Sequence, residues 1–133
     1  MSEQWFSVDL TAGYLDSDGG GHVSNITFPK YLETARFAYL QERLGDLLPE
    51  RNFVLVNLDL DYLDELFPGE SFTVGVRTAD VGTTSFTLEY RVATDDRVVA
   101  EATTVLVVQT KEERETTRVP ETWRERLLPQ ARV

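Results

Sequence analysis

Only one stretch of this sequence carries apolar residues at helical spacing, and it stands between one strand-like segment and four more. Within residues 26 to 44, Phe28, Tyr31, Leu32, Ala35, Tyr39 and Leu40 recur by threes and fours, which lays them along one helix face. Asn25 or Thr27 is placed to cap that helix, Pro29 suits a first turn, and Gly45 suits its end. The other apolar residues alternate. Phe6, Val8 and Leu10 share one face of a strand over residues 5 to 12. In residues 53 to 63, Val54, Val56, Leu58, Leu60 and Tyr62 are expected on one face, with Asn57, Asp59 and Asp61 on the other. A third strand carries Phe72, Val74 and Val76 and is broken at Gly82; a fourth carries Phe86, Leu88, Tyr90 and Val92. The fifth, residues 97 to 110, is apolar on both faces around Val105 to Val108, which predicts a central position. A charged connector, residues 111 to 118, leads to a short helix with Trp123 and Leu127 packing inward. Strand, long helix and four consecutive antiparallel strands make an α+β fold. The sheet buries the helix by wrapping around it and keeps two open edges, which a homodimer would cover.

At 133 residues, residues 1–133 are read as one domain, large enough to bury a core without staples. There is no cysteine, so disulfides and thiolate metal sites are excluded. The opening MSEQWFSVDL lacks a basic segment followed by an apolar run, and no apolar run approaches the roughly 20 residues of a membrane span. The expectation is a soluble cytoplasmic protein that binds no membrane. Acids outnumber bases 23 to 13, for a net charge of −10, and Lys30 and Lys111 are the only lysines. Phosphate backbones are held by clustered Lys and Arg, so nucleic acid is not an expected partner. Such a balance suits a plain soluble acidic protein. It also suits a halophilic one, because concentrated salt screens repulsion between acids and lysine is scarce here.

The chemistry concentrates in residues 14 to 36. Asp16 and Asp18 sit on a loop with Gly19, Gly20 and Gly21; His22 (the sole histidine), Ser24 and Asn25 follow; then the helix starts. Unpaired N–H groups at a helix start can polarise a carbonyl oxygen, and Asp18, seven residues before Asn25, can attack that carbon or activate water. Asp16 reads as a structural cap of the loop. His22 is either a general base or a packing residue. Glu33 is an alternative acid, although Arg36 three residues on suggests an ion pair. A calcium loop would need an acid where Thr27 stands, and one histidine without cysteine does not suit zinc, so no metal is expected. On composition alone, a surface turn rich in Asp and Gly is the default reading of the loop.

The string Asp16-Ser17-Asp18-Gly19-Gly20-Gly21-His22-Val23-Ser24-Asn25, followed by Tyr31-Leu32-Glu33-Thr34-Ala35-Arg36, resembles the signature of the 4-hydroxybenzoyl-CoA thioesterase-like family of acyl-CoA thioesterases. Leu60-Asp61-Tyr62, Pro68-Gly69-Glu70 and Val81-Gly82-Thr83-Thr84-Ser85-Phe86 resemble later segments of that family, so the likeness runs over residues 5 to 125. It implies the hot-dog fold: a five-stranded antiparallel sheet around one long central helix, with active sites at the interface of a homodimer, or of a homotetramer built from it. It implies hydrolysis of an acyl-CoA thioester to free acid and CoA, with Asp18 as nucleophile or general base. The N–H near Asn25 would polarise the carbonyl, and no cofactor would be needed beyond the coenzyme A of the substrate. His22, Gly21 and Ser24 would shape the pocket, and Thr84 and Ser85 would lie near the ligand. Threonines at 83 and 84 stand where some members place basic residues, which leaves Arg77, Arg91 or the C-terminal arginines to meet the coenzyme phosphates. A non-catalytic acyl-CoA-binding module and a hydratase or dehydratase are the alternatives. The latter is disfavoured because three residues, not four, separate Asp18 from His22.

Overall fold

The computed structural model describes residues 5–128. Its strands are β1 (Phe6–Thr11), β2 (Asn52–Tyr62), β3 (Ser71–Val81), β4 (Ser85–Ala93) and β5 (Val98–Gln109); its helices are α1 (Phe28–Leu44) and α2 (Glu121–Leu127). One antiparallel sheet runs in the order β1-β3-β4-β5-β2. The expected α+β architecture is therefore present. α1 lies on one face because its stripe, Phe28 to Leu40, has nowhere else to go: Leu32, Ala35 and Leu40 are at most 1% exposed, against Val74, Val76, Phe86 and Leu88 from the sheet. α2 closes the far end of that layer. Trp123 is fully buried beside Phe86, and its indole N–H donates to the Leu47 carbonyl at 3.2 Å.

Three sequence expectations need adjusting. Neither Asn25 nor Thr27 caps α1 with its side chain; a turn of 3-10 helix, Asn25–Thr27, precedes it, and the Ser24 hydroxyl accepts from the Ile26 N–H at 3.4 Å. β5 is interior, but β4 holds the centre of the sheet. In β2 the pairing shifts between Leu55 and Asn57, so Val56 is an extra residue without a partner in β5. That bulge resets the alternation. Phe53, Leu55, Leu58, Leu60 and Tyr62 oppose the buried row of β5, from Val108 to Ala100, while Val54 shares the outer face with Asn57, Asp59 and Asp61.

Among the described residues, β2 is also an edge of the sheet, paired on one side only. Val54, Leu55, Val56, Leu58 and Tyr62 are each 36–56% exposed along this edge, interleaved with Asn57, Asp59 and Asp61.

Candidate active site

The loop between β1 and α1 is tied down from both sides. The Asp16 carboxylate accepts from the Tyr31 hydroxyl at 2.6 Å and from the Gly13 N–H at 3.1 Å. The Tyr31 hydrogen bond leads in holding this carboxyl below its ordinary range, while burial with the same contact pushes the Tyr31 phenol up. The Asp16 carbonyl accepts from the Ser24 N–H at 2.8 Å, and Val23, 2% exposed, donates its N–H to the Leu66 carbonyl at 2.7 Å. Asp16 is thus the structural anchor of the loop, as its reading as a cap implied.

Between these anchors, residues 17 to 23 form a tight excursion closed by a bridge between Ser17 and Val23. Gly19 and Gly21 have φ of 88° and 91°, a region that side chains resist, so the tip turns only because glycine stands there. The turn sets Asp18 opposite His22. The Asp18 N–H donates to the His22 carbonyl at 3.2 Å, and Asp18 Oδ1 accepts from the Gly20 N–H at 2.8 Å. Asp18 Oδ2 lies 3.8 Å from His22 Nδ1. A carbonyl only accepts, so the 3.0 Å contact between His22 Nδ1 and the Val23 oxygen puts a proton on Nδ1. That hydrogen bond is the main reason the imidazole pKa is raised; the acids Asp18 and Glu65 add to it and partial desolvation opposes it.

Asn25 opens the 3-10 turn at the head of α1, and no acidic residue occupies the first turn of α1, so its own sequence does not neutralise the positive end of the dipole. The Asn25 carbonyl accepts from the Tyr62 hydroxyl at 2.7 Å, which ties the helix head to the end of β2. Leu15, Ile26 and Leu63, close in sequence to the loop and to Tyr62, are 53–100% exposed. Asp18, Gly21, His22, Ser24 and Asn25 therefore belong to one short segment at one end of the sheet.

Thr84 and Ser85 do not join them within one chain. They lie at the β3–β4 turn, where the Thr84 carbonyl accepts from Val108. β4 runs from Ser85 to Ala93, so about 30 Å of strand separates that turn from the glycine-loop end. Arg77 and Arg91 lie elsewhere again, on the outer face of the sheet, stacked on Trp5 at 4.0 and 5.2 Å from the ring centroid and beside Glu89 and Glu101. Arg124 is nearer to Thr84: its guanidinium donates to the Val81 and Gly82 carbonyls. Of the C-terminal arginines, Arg132 falls outside the described residues. Among the described residues, no group of three or more acids and histidines is placed to hold a metal, and no helix is long and apolar enough to cross a membrane.

Two features escaped the sequence reading. Tyr31 and Tyr62 hold the site through their hydroxyls, although both register in the pattern only as apolar members of a stripe. Arg36 is 7% exposed under α1, where its Nη1 donates to the Tyr90 hydroxyl at 3.2 Å and Tyr90 meets Thr104 at 2.7 Å. Its contact with Glu33 exists, but at 3.9 Å it is long for a hydrogen bond.

Residues 13–127 match the Thioesterase-like superfamily. The chain belongs to that superfamily and has its hot-dog fold. A thioesterase from Thermus thermophilus, solved with coenzyme A and Zn, is 35% identical with a TM-score of 0.81, over 91% of this chain and 90% of that one. A 1,4-dihydroxy-2-naphthoyl-CoA thioesterase from Synechocystis shares the fold at 19% identity, with a TM-score of 0.81 over 96% and 98% of the two chains. The uncharacterized protein YsmA of Bacillus subtilis is 28% identical over 88 residues, which are 64% of this chain and 58% of the length of that relative.

Proposed function

We propose that this protein hydrolyses an acyl-CoA thioester to a free acid and CoA. The observation that carries the reading is the pairing of an accessible Asp18 carboxylate with an acid-free helix head, both held by one anchored loop. As a general base, Asp18 takes a proton from water while the water oxygen bonds to the thioester carbon. The carbonyl becomes an oxyanion held by N–H groups at Asn25. Collapse breaks the C–S bond, and the proton on Asp18 passes to the leaving thiolate. As a nucleophile, Asp18 bonds to the carbon first, expels the thiolate as a mixed anhydride forms, and water then cleaves the anhydride. The Thermus thermophilus relative, solved with coenzyme A, supports the substrate class.

The working unit in this reading is a homodimer made by antiparallel pairing of two β2 edges. A two-fold axis across β2 sets the Tyr62 end of one copy beside the Asn52 end of the other. Thr84 and Ser85 of the partner subunit then approach Asp18, with Arg124 supplying positive charge near them, which supports a coenzyme phosphate contact at the shared edge.

A second reading, a non-catalytic acyl-CoA-binding module, draws on Asp18 Oδ1 being occupied by the Gly20 N–H. A panel of short, long and aromatic acyl-CoAs, assayed for thiol release in low and high salt, separates the two. Release from at least one class is expected. Tight binding without release selects the binding module, and hydration of an enoyl-CoA without release selects a hydratase.

A further inference from the structure

The glycine loop hangs from a second loop, residues 63 to 70, which joins β2 to β3. It is tied there at both of its ends. Where the chain leaves β1, Ala12 donates its N–H to the Glu70 carbonyl at 2.9 Å, and its own carbonyl accepts from the Gly69 N–H at 2.7 Å. Past the glycines, Val23 donates to the Leu66 carbonyl at 2.7 Å, and Leu66 is 1% exposed. The place of Asp18 is therefore set by residues 66 to 70. Those residues are in turn gripped by Arg97, from the turn between β4 and β5. Its guanidinium makes five hydrogen bonds. Nε and Nη2 fork onto the Glu65 carbonyl at 3.2 and 2.7 Å, and Nη2 also donates to Glu70 Oε1 at 2.6 Å. Nη1 donates to Thr94 Oγ1 and Asp96 Oδ1 at 3.1 and 3.0 Å. Glu70 Oε1 accepts from the Phe67 N–H as well, at 3.0 Å, which closes the loop on itself. The Arg97 hydrogen bond leads in holding the Glu70 carboxyl below its ordinary range, so this pair stays ionised at neutral pH. The β4–β5 turn does not need the side chain for its own closure, because the Thr94 N–H already donates to the Arg97 carbonyl at 2.9 Å.

Resting on the thioesterase reading, we propose that Arg97 is a positioning residue of the reaction: it fixes residues 65 to 70 as one unit and, through Leu66 and Ala12, sets where Asp18 stands against the head of α1. The Glu65 carbonyl that Arg97 holds is one peptide before the Leu66 carbonyl that takes the Val23 N–H, so a shift at the first is passed directly to the second. The task suits arginine. Its planar fork binds a carbonyl and a carboxylate at once in fixed directions, whereas a lysine ammonium is a point charge on a flexible stem. A misplacement of about 1 Å at a reacting group, caused by a change far from it, can cost about 100-fold in rate.

The test separates positioning from plain stability. On an acyl-CoA that the wild type hydrolyses, Arg97→Met is expected to lower kcat by about 10- to 100-fold with KM within about twofold, and Arg97→Lys to recover part of the loss. Glu70→Gln lowers kcat in the same direction, and the double variant with Arg97→Met is no slower than the slower single one. Asp96→Asn removes the exposed partner on the turn itself and leaves kcat unchanged. Tyr39→Phe, which deletes a buried hydrogen bond to Thr78 of 2.6 Å in the main body of the sheet and helix, is the control for lost stability. In amide hydrogen exchange, the Val23 N–H exchanges about tenfold or more faster in Arg97→Met while that of Val74 keeps its wild-type rate. Wild-type kcat in Arg97→Met overturns the proposal, as does a loss no larger than in Tyr39→Phe, or exchange that quickens equally at Val23 and Val74. Should Arg97→Met fail to fold, Arg97→Lys carries the same measurements. If the wild type hydrolyses no acyl-CoA, the thioesterase reading fails by itself, and exchange at Val23 still decides whether Arg97 holds the loop.

Discussion

The two edges of the sheet are built on opposite terms. β1 has 6 residues, and its inward side chains Phe6, Val8 and Leu10 are half covered, with Phe6 packed on Tyr39 of α1. Its outward residues are Ser7, Asp9 and Thr11, so the edge is short and polar. β2 has 11 residues, a bulge and a run of exposed aliphatic side chains, several facing α1 without being covered by it. A short polar edge resists association, and a long apolar one invites it. The candidate site lies at the second kind of edge: Tyr62 of β2 holds Asn25, and Leu55 and Leu58 wall a groove beside α1. The edge that looks unfinished in one chain is the one joined to the chemistry.

Changing the β2 edge gives the largest expected effect. Leu58→Lys puts a charge into the proposed dimer seam and weakens association by about 30-fold or more, read by light scattering across a dilution series. Ser7→Lys on β1 leaves the oligomer unchanged, and equal responses at the two edges would erase the contrast drawn between them. Next in size is the link from β2 to the helix head. Tyr62→Phe removes the hydrogen bond to Asn25 and is expected to lower kcat by about tenfold with the fold intact, checked by kinetics alongside a melting curve. On the β1 side, Tyr31→Phe costs about 1–2 kcal/mol in denaturant unfolding. Its pH dependence has a definite sign. Asp16 has a folded pKa below its unfolded value of about 3.8, so its contribution is complete above that pH and is lost as pH falls through the folded pKa. The gap between wild type and Tyr31→Phe should narrow there. The smallest effect belongs to His22, whose folded pKa is raised above about 6.5. Its contribution is complete below that pH and is lost as pH rises through the folded value. A small difference in melting temperature between wild type and His22→Asn should fade over that window.

The strand–helix–four-strand order was readable because alternation and helical spacing report which residues leave water, and most of this chain obeys one period or the other. β2 broke the rule at Val56: a bulge adds a residue without changing composition, so a strict two-residue pattern assigned Val54 to the wrong face. The helix cap was misplaced for a similar reason, because Ser24, Asn25 and Thr27 are all good caps by type and only the backbone decides among them. The loop stood out by its chemistry, and Asp18, His22, Ser24 and Asn25 do share one segment. Thr84 and Ser85 stand at the far end of β4 from that segment, a placement that alternation along a strand does not report. Arg36 with Tyr90 and Thr104 was hidden because a buried guanidinium and an exposed one look alike in a helical repeat.

The central claim is that Asp18 acts on a carbonyl held at the head of α1. Replacing it with asparagine keeps the size and the ability to accept from Gly20 but removes the charge. Measured by thiol release under saturating acyl-CoA, with the wild-type oligomer confirmed, Asp18→Asn should lower kcat by about 100- to 10,000-fold. Turnover at the wild-type rate in that variant would contradict the account.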